Sequence, residues 1–426
     1  MTAVAAQLVA QPAAETRPWS LAHRFLFRVV CCYWVLYALP ESGRISILFN
    51  IPGARFATQA YIKMWHSFIP WVAVYFFHVS GRPATYFPTG SGDTTLGYIS
   101  NLLYILISLA AALVWSVLDR RRPDYRKLHG WLRLLVRYTL AFTLFGYGFA
   151  KVFPLQFRTP NFARLIEPYG EFSPMGSLWW FMGASIPYII FSGSAEVLGG
   201  LLVLFRRTTT LGAMVSFAVM ANVVALNYCY DVPVKLYSTN ILLMTVFLAA
   251  PDLRRLFDVL VRNRAAQPAE LIGPRFEHRW ARIASTVFCV LFAGYALTNQ
   301  LIGDWRSYQR TMVHPTHPPL YGLYDAESGA PPKWRKVAVD NANGFTVRMN
   351  DDTTQFFATE YDAPNSMLVV AKKDKLVWSN PDAEHILLTG TLNSSPVAIK
   401  LRKIDTSRFL LLSRGFHWIN ETALNR

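Results

Sequence analysis

Charge is the first thing this chain lacks. Only 16% of its 426 residues are Asp, Glu, Lys or Arg, against roughly a quarter in a soluble globular domain. Acids are the scarcer sign: 26 Asp and Glu stand against 42 Lys and Arg, a net charge of +16. In a soluble chain that balance would point to nucleic acid. Here the arginines fall in short clusters beside apolar runs, the arrangement of topology signals and lipid-headgroup contacts, and nucleic acid is set aside as a partner. Cysteine is rare too. Cys31, Cys32, Cys229 and Cys289 all lie in or beside apolar segments, with no CxxC motif; this excludes a disulfide framework and leaves packing as their role. Also missing are GxSxG, HExxH and GxGxxG, the commonest hydrolase, metalloprotease and dinucleotide signatures. The opening residues have neither the basic region nor the apolar stretch of a signal peptide, and 1–22 read as a disordered tail.

What the chain has in excess is apolar surface: 53% of it is hydrophobic and 15% aromatic. A membrane span needs about 20 mostly apolar residues. Seven stretches qualify, at 24–40, 101–118, 131–153, 178–204, 208–229, 235–250 and 280–302. An eighth, 61–79, contains Lys63, His66, Pro70 and His78 and fits a helix lying at the membrane interface. The basic clusters Arg24/Arg28, Arg120–Arg122 with Arg126 and Lys127, Arg206/Arg207, and Arg254/Arg255 with Arg262 and Arg264 then share one face. The positive-inside rule makes that face the cytoplasm, with the N-terminus inside and the C-terminus outside.

The expected organisation is a helical transmembrane domain over 23–303, a proline-rich linker over 304–333, and a small extracytoplasmic antiparallel β domain over 334–426. Short runs rich in Val, Thr, Phe and Leu, from "WRKVAVD" to "RFLLLSRGFHWIN", alternate with polar turns. They predict a sandwich or barrel of about eight strands.

An ionisable group inside a span is a functional candidate by default. Glu196 lies ten residues before Arg206, about 15 Å along its helix. Lys151 is fourteen residues past Arg137 and Asn222 fifteen past Arg207, about 21 and 22 Å along theirs. Asn227, Asp231 and Lys235 sit beyond that layer, around the helix-breaking Pro233. Tyr147 is one turn before Lys151, and Gly193, Gly199 and Gly200 flank Glu196 where they allow close helix approach. Two readings stand. In one, Tyr147, Lys151, Glu196, Asn222, Asn227, Asp231 and Lys235 line an outward-facing pocket for a quinone, a lipid headgroup or a small polar substrate. In the other, Glu196 is a structural ion-pair member that fixes packing.

Other motifs carry less. His66 and His78 do not share a helix face, which argues against haem. The HxxH of His314 and His317 has no further ligand set nearby. "GSGDTT" (90–95) lacks the lysine of a phosphate loop and reads as a helix start with Asp93 or Thr94 as cap.

The segments "RYTLAFTLFGYGFAKVFPLQF", "SGSAEVLGGLLVLFRRTTTLGA" and "NYCYDVPVKLYS" resemble bacterial DoxX-like membrane proteins, and distantly the horizontally transferred transmembrane domain of vitamin K-dependent carboxylases. The resemblance implies a helical bundle in the bacterial inner membrane. Members include a subunit of a thiosulfate:quinone oxidoreductase, so a redox-associated component is one implied role. The carboxylase relatives use a lysine as base; neither Lys151 nor Lys235 matches it by motif, and that role is not carried over. The alternative is a non-enzymatic scaffold whose β domain binds an envelope partner.

Overall fold

A computed structural model of the chain describes residues 18–38, 55–269, 271–274, 276–327, 333–422 and 424. The helices are α1 Leu21–Ala38, α2 Arg55–Tyr75, α3 Thr95–Leu118, α4 Arg126–Val152, α5 Phe162–Leu165, α6 Pro174–Gly183, α7 Ile186–Leu204, α8 Thr209–Cys229, α9 Lys235–Ala249, α10 Leu253–Leu260, α11 Arg279–Tyr308 and α12 Leu410–Ser413. The chain divides into two compact units, one of residues 1–145, 196–228 and 233–298, the other of 146–195, 229–232 and 299–426.

Among the described residues six helical stretches are long and apolar enough to cross a membrane: Leu21–Ala38, Thr95–Leu118, Ile186–Leu204, Thr209–Cys229, Lys235–Leu260 and Arg279–Val313. This corrects the expected seven. The missing one, 131–153, does form as a single 27-residue helix, α4. Its Arg126, Lys127, Arg133, Arg137 and Lys151 keep it out of the apolar class. The interfacial stretch forms α2, with Pro70 inside it. Other boundaries shift as well. Most of the expected tail, 1–17, lies outside the described residues, but helix begins at Leu21, inside that tail. The 178–204 run is broken into α6 and α7. Pro187 stands at the second position of α7, where a missing N–H is harmless. Gly183 ends α6 because a Cβ there would lie 2.0 Å from the Arg158 carbonyl oxygen.

In the first unit α1 is fastened by Arg28. Its guanidinium donates to the Tyr125 hydroxyl (2.7 and 3.0 Å), the Ser116 hydroxyl (2.6 Å) and the Asp119 carbonyl (3.0 Å), at the end of α3 and the start of α4. The α7–α8 hairpin closes through glycines. A Cβ on Gly212 would sit 2.5 Å from the Val203 nitrogen, and one on Gly199 2.5 Å from the Ser216 hydroxyl, the small-residue contact that lets membrane helices approach.

In the second unit eight strands form a closed antiparallel barrel: β1 Gly322–Ala326, β2 Trp334–Asn341, β3 Gly344–Met349, β4 Thr354–Asp362, β5 Met367–Val370, β6 Asp374–Ser379, β7 His385–Leu392 and β8 Ser395–Lys403. Each strand pairs with its sequence neighbour, and β1 pairs with β8 to close the ring. Tight turns with positive φ at Asn393 and Ser394, and at Ala371 and Lys372, match the primed turns that right-twisted hairpins require. Inward side chains, among them Trp334, Val347, Leu368, Leu376, Ile399 and Leu401, fill the interior.

Of the expected strands, seven appear. The last, 408–420, is instead a short helix and coil. The eighth strand is β1, inside the expected linker, and α11 runs on to Tyr308, past the expected domain end at 303. The barrel also sets a glycine requirement. Gly390, at φ 151°, is paired with Leu376, and a Cβ there would meet the Lys375 carbonyl oxygen at 2.1 Å. Gly390→Ala is therefore expected to destabilise the barrel by about 1–3 kcal/mol, read as a lower temperature at which the barrel of the full chain becomes protease-sensitive.

Candidate functional site

The seven sequence-selected residues divide between the two units. In the first, Glu196 on α7 is 2% exposed and Asn227 on α8 is 6% exposed. Asn222 on the same helix faces outward. The Asn227 amide nitrogen is buried with no hydrogen-bond partner among the described residues. Close to the glutamate, Gly200 meets α4: a Cβ would lie 2.9 Å from Phe145 and 3.1 Å from the Ala141 carbonyl oxygen.

Lys235 opens α9, and its ammonium lies 3.8 Å from the Asp93 carboxylate. That carboxylate also accepts the backbone N–H groups of Lys235 (2.8 Å) and Leu236 (3.0 Å). Asp93 thus caps α9 from 142 residues away in sequence, while its neighbour Thr94 caps α3 by accepting from the Gly97 N–H. Of the two caps expected for one helix, each serves a different one. One turn into α9, Asn240 donates to Asn101 Oδ1 (3.3 Å) and to the Leu236 carbonyl (2.9 Å). The Tyr33 hydroxyl, a single donor, lies within reach of both the Asn101 (2.9 Å) and the Asn240 Oδ1 atoms. This triad joins α1, α3 and α9, and the sequence reading chose Asn222 and Asn227 instead because which amides meet depends on helix contacts that no single segment shows.

At the far end of α4's charged half, Arg137 is 3% exposed. It donates from Nε to the Val203 carbonyl at 3.0 Å and from Nη2 to that of Leu204. Those carbonyls end α7 and have no helical partners of their own. Asp252 accepts from Thr210 and Arg255 at the corresponding turn of α8 and α9.

In the second unit, Lys151 is 6% exposed. Its ammonium lies 3.5 Å from the Tyr147 carbonyl and 5.5 Å from the centre of the Tyr147 ring, while Tyr147 itself is exposed. The Lys151 Cβ would be 2.6 Å from a Cβ on Gly193, so α7 passes directly over that lysine. Asp231 is exposed, with φ 51° in the turn after α8. The structure therefore buries Glu196, Lys151 and Asn227, engages Lys235 in a cap, and leaves Tyr147, Asn222 and Asp231 at the surface. His66 stacks on Tyr86 and His317 on Tyr321, at 4.0 and 3.8 Å.

The second unit holds a further polar contact set. The segment 160–172 lies against β2 and β3. Asp340 accepts the N–H groups of Phe162 (2.8 Å) and Ala163 (2.9 Å), and burial raises its carboxyl above the ordinary range against those two bonds. Arg348 on β3 is fully buried and donates to both Glu171 oxygens, at 2.8 and 3.0 Å. Its hydrogen bond holds the Glu171 carboxyl below its usual value.

No family model matches this chain, and no solved structure does. Over 132 residues, 29% of its length, it is 33% identical to an uncharacterised protein of Bacillus subtilis, YwoB, of which the match covers 78%.

Two outcomes follow from these caps. Asp93→Ala strips α9 of both accepted N–H bonds and is expected to destabilise the helical unit by about 0.5–2 kcal/mol. Lys235→Met leaves those bonds in place and has the smaller effect in the same detergent melting experiment. Glu171, with its lowered carboxyl, contributes stability that is present above the unfolded value of about 4.3 and is lost as pH falls through the lower folded value. Proteolysis of the 160–172 segment in the full chain should rise in that acid window, and Glu171→Gln should remove the part of the pH dependence due to the Arg348 pair while leaving that of Asp340.

Proposed function

This chain belongs to the family of the Bacillus subtilis protein YwoB, and from that premise we propose that it is a multi-span bacterial inner-membrane scaffold that presents its barrel outside the cytoplasm to an envelope partner. The observation that carries this reading is the barrel itself: it is closed and filled with side chains. A filled interior leaves recognition to the outer surface. That surface carries a mixed-charge ladder in which Asp325 pairs with Lys336 (2.9 Å) and Arg402 (3.5 Å), and Glu327 with Lys400 (3.5 Å), Arg402 (3.2 Å) and His385 (3.4 Å).

The proposed orientation takes α4 as a crossing in addition to the six stretches that qualify by length and apolarity. Its interior from Tyr138 to Ala150 is uncharged, and Arg137 is turned into the protein, onto the end of α7 beside Arg206. Its charge is therefore not presented to lipid. Arg24 donates to the Arg122 carbonyl at 2.7 Å, which supports a common face for the basic clusters at the start of α1 and the end of α3. With α4 counted, these basic ends share the cytoplasmic side, and α11 leads out to the barrel.

A second reading is favoured by two buried ionisable groups on helices of the bundle, Glu196 and Lys151. In it one or other of these groups serves a quinone or other lipidic ligand, and the protein is a redox-associated component of the DoxX-like kind.

One experiment separates the readings. The four native cysteines are replaced by alanine, and Lys400→Cys carries a membrane-impermeant photocrosslinker added to intact spheroplasts. The scaffold reading expects labelling from outside and a discrete envelope adduct. That adduct is lost with Arg402→Glu and kept with Glu196→Gln. No labelling from outside overturns the orientation. An adduct indifferent to Arg402→Glu, together with a phenotype lost in a normally folded Glu196→Gln chain, favours the ligand layer instead.

A further inference from the structure

The second unit carries an apolar surface that the barrel and the buried layer do not use. It begins on α7, whose first turns expose Tyr188 and Phe191, as a span meeting lipid would. The ring series continues off the span: Phe191 lies 6.3 Å from Tyr188, and Tyr188 6.0 Å from the exposed Phe181 of α6. Beside Phe181, Trp180 opens onto a cleft of about 210 Å³ whose other wall is Phe409, Leu410 and Leu411, from the chain just after the barrel. Arg164 sits at this cleft with its guanidinium 5.7 Å from the centre of the Trp180 ring, and pairs with Glu167. Beyond the cleft the chain turns its largest apolar side chains outward: Phe416 is 77%, Trp418 90% and Ile419 76% exposed. Arg408 and Arg414 flank them and are exposed as well.

An exposed aromatic cluster of this size on a soluble surface marks a binding face. Here two ring contacts, Phe191 to Tyr188 and Tyr188 to Phe181, tie its α6 end to the outward face of a helix apolar enough to span a membrane. Trp, Phe and Leu with flanking arginines are the composition of segments that lie in the headgroup region. We propose that Phe409–Thr422, together with Phe181, is a bilayer-surface anchor. Phe416, Trp418 and Ile419 enter the boundary of headgroups and acyl chains, and Arg408 and Arg414 meet lipid phosphates. The occupant is the lipid surface of the protein's own membrane. The inference goes beyond the scaffold reading and holds whichever protein the barrel meets.

The test uses the full chain, with its native cysteines replaced by alanine, in lipid nanodiscs. A bimane fluorophore is attached at His417→Cys, which leaves Trp418 in place. Bilayers of phosphatidylcholine, with and without phosphatidylglycerol, carry bromine on their acyl chains. A segment seated ~5–10 Å deep is expected to be quenched at least about twofold more than the same fluorophore at Ser379→Cys on exposed β6, and more strongly with the anionic lipid. Replacing Phe416, Trp418 and Ile419 by serine should bring quenching down to the Ser379 level while the barrel keeps its protease resistance. Quenching no greater than at Ser379 overturns the anchor. So does a fluorophore shielded from aqueous iodide but not quenched by bromolipid, which marks a protein contact.

Discussion

A carboxylate set against the first N–H groups of a helix far away in sequence is the fastening on which both units depend. Asp93 holds the start of α9, and Asp340 the start of α5. In each case one side chain accepts two backbone donors that the helix cannot satisfy by itself, and the negative charge sits at the positive end of the helix dipole. With few acids in the chain, this use is economical: one residue fixes the position and the direction of a helix together. In α9 it also orders Lys235, which stands at the helix start and is drawn to the same carboxylate.

The consequence for the buried layer is that tightness comes before chemistry. Gly193, Gly199, Gly200 and Gly212 bring backbones to distances at which a single methyl group would collide. The same close approach encloses Lys151 beneath Gly193, on the turn after Tyr147. A charged group so enclosed is tolerated only where polar atoms reach it; the Tyr147 carbonyl is one that does. Arg137 shows the same rule at the other end of α4, where the last carbonyls of α7 take its donors. In this bundle a charge is accepted where a helix end or a backbone oxygen is presented to it, so charge in the sequence does not by itself disqualify a helix from the membrane or mark it as a site.

That rule explains what could and could not be read from the sequence. Long apolar runs gave helices with nearly correct ends, because length and hydropathy are local properties. Seven of the eight strands were visible for the same reason: alternation such as Val397, Ile399, Leu401 is written along one segment. The misses in the barrel and at the caps are non-local. Strand β1 spans five residues between prolines and becomes a strand only because β2 and β8 flank it. The 408–420 run has strand-like composition, but β1 takes the place beside β8 that it would have filled. Nothing in the sequence sets Arg348 apart from the other charged residues of the strands. It is buried because 160–172 covers that face, a fact legible only as β3 being apolar and enclosed on both sides. Asp93 was seen as a cap, but the helix it serves lies elsewhere in the chain.

The barrel solves a different problem, that of the exposed sheet edge. A closed sheet has no edge to protect, so it needs no charged gatekeepers on a free strand, and β1, short as it is, removes two edges at once. One group of its charges lies where β1, β2, β7 and β8 meet, in pairs that satisfy one another. Exposed pairs of this kind add little to stability, each about 0–1 kcal/mol. The barrel is held instead by its filled interior and its continuous ladder, so the ladder of charges is free to vary with what it meets. In the helical unit the charges are built into the packing. On the barrel Arg348 is built in likewise, but the pairs of β1, β2, β7 and β8 sit outside the packing, so their residues can change without unfolding the protein.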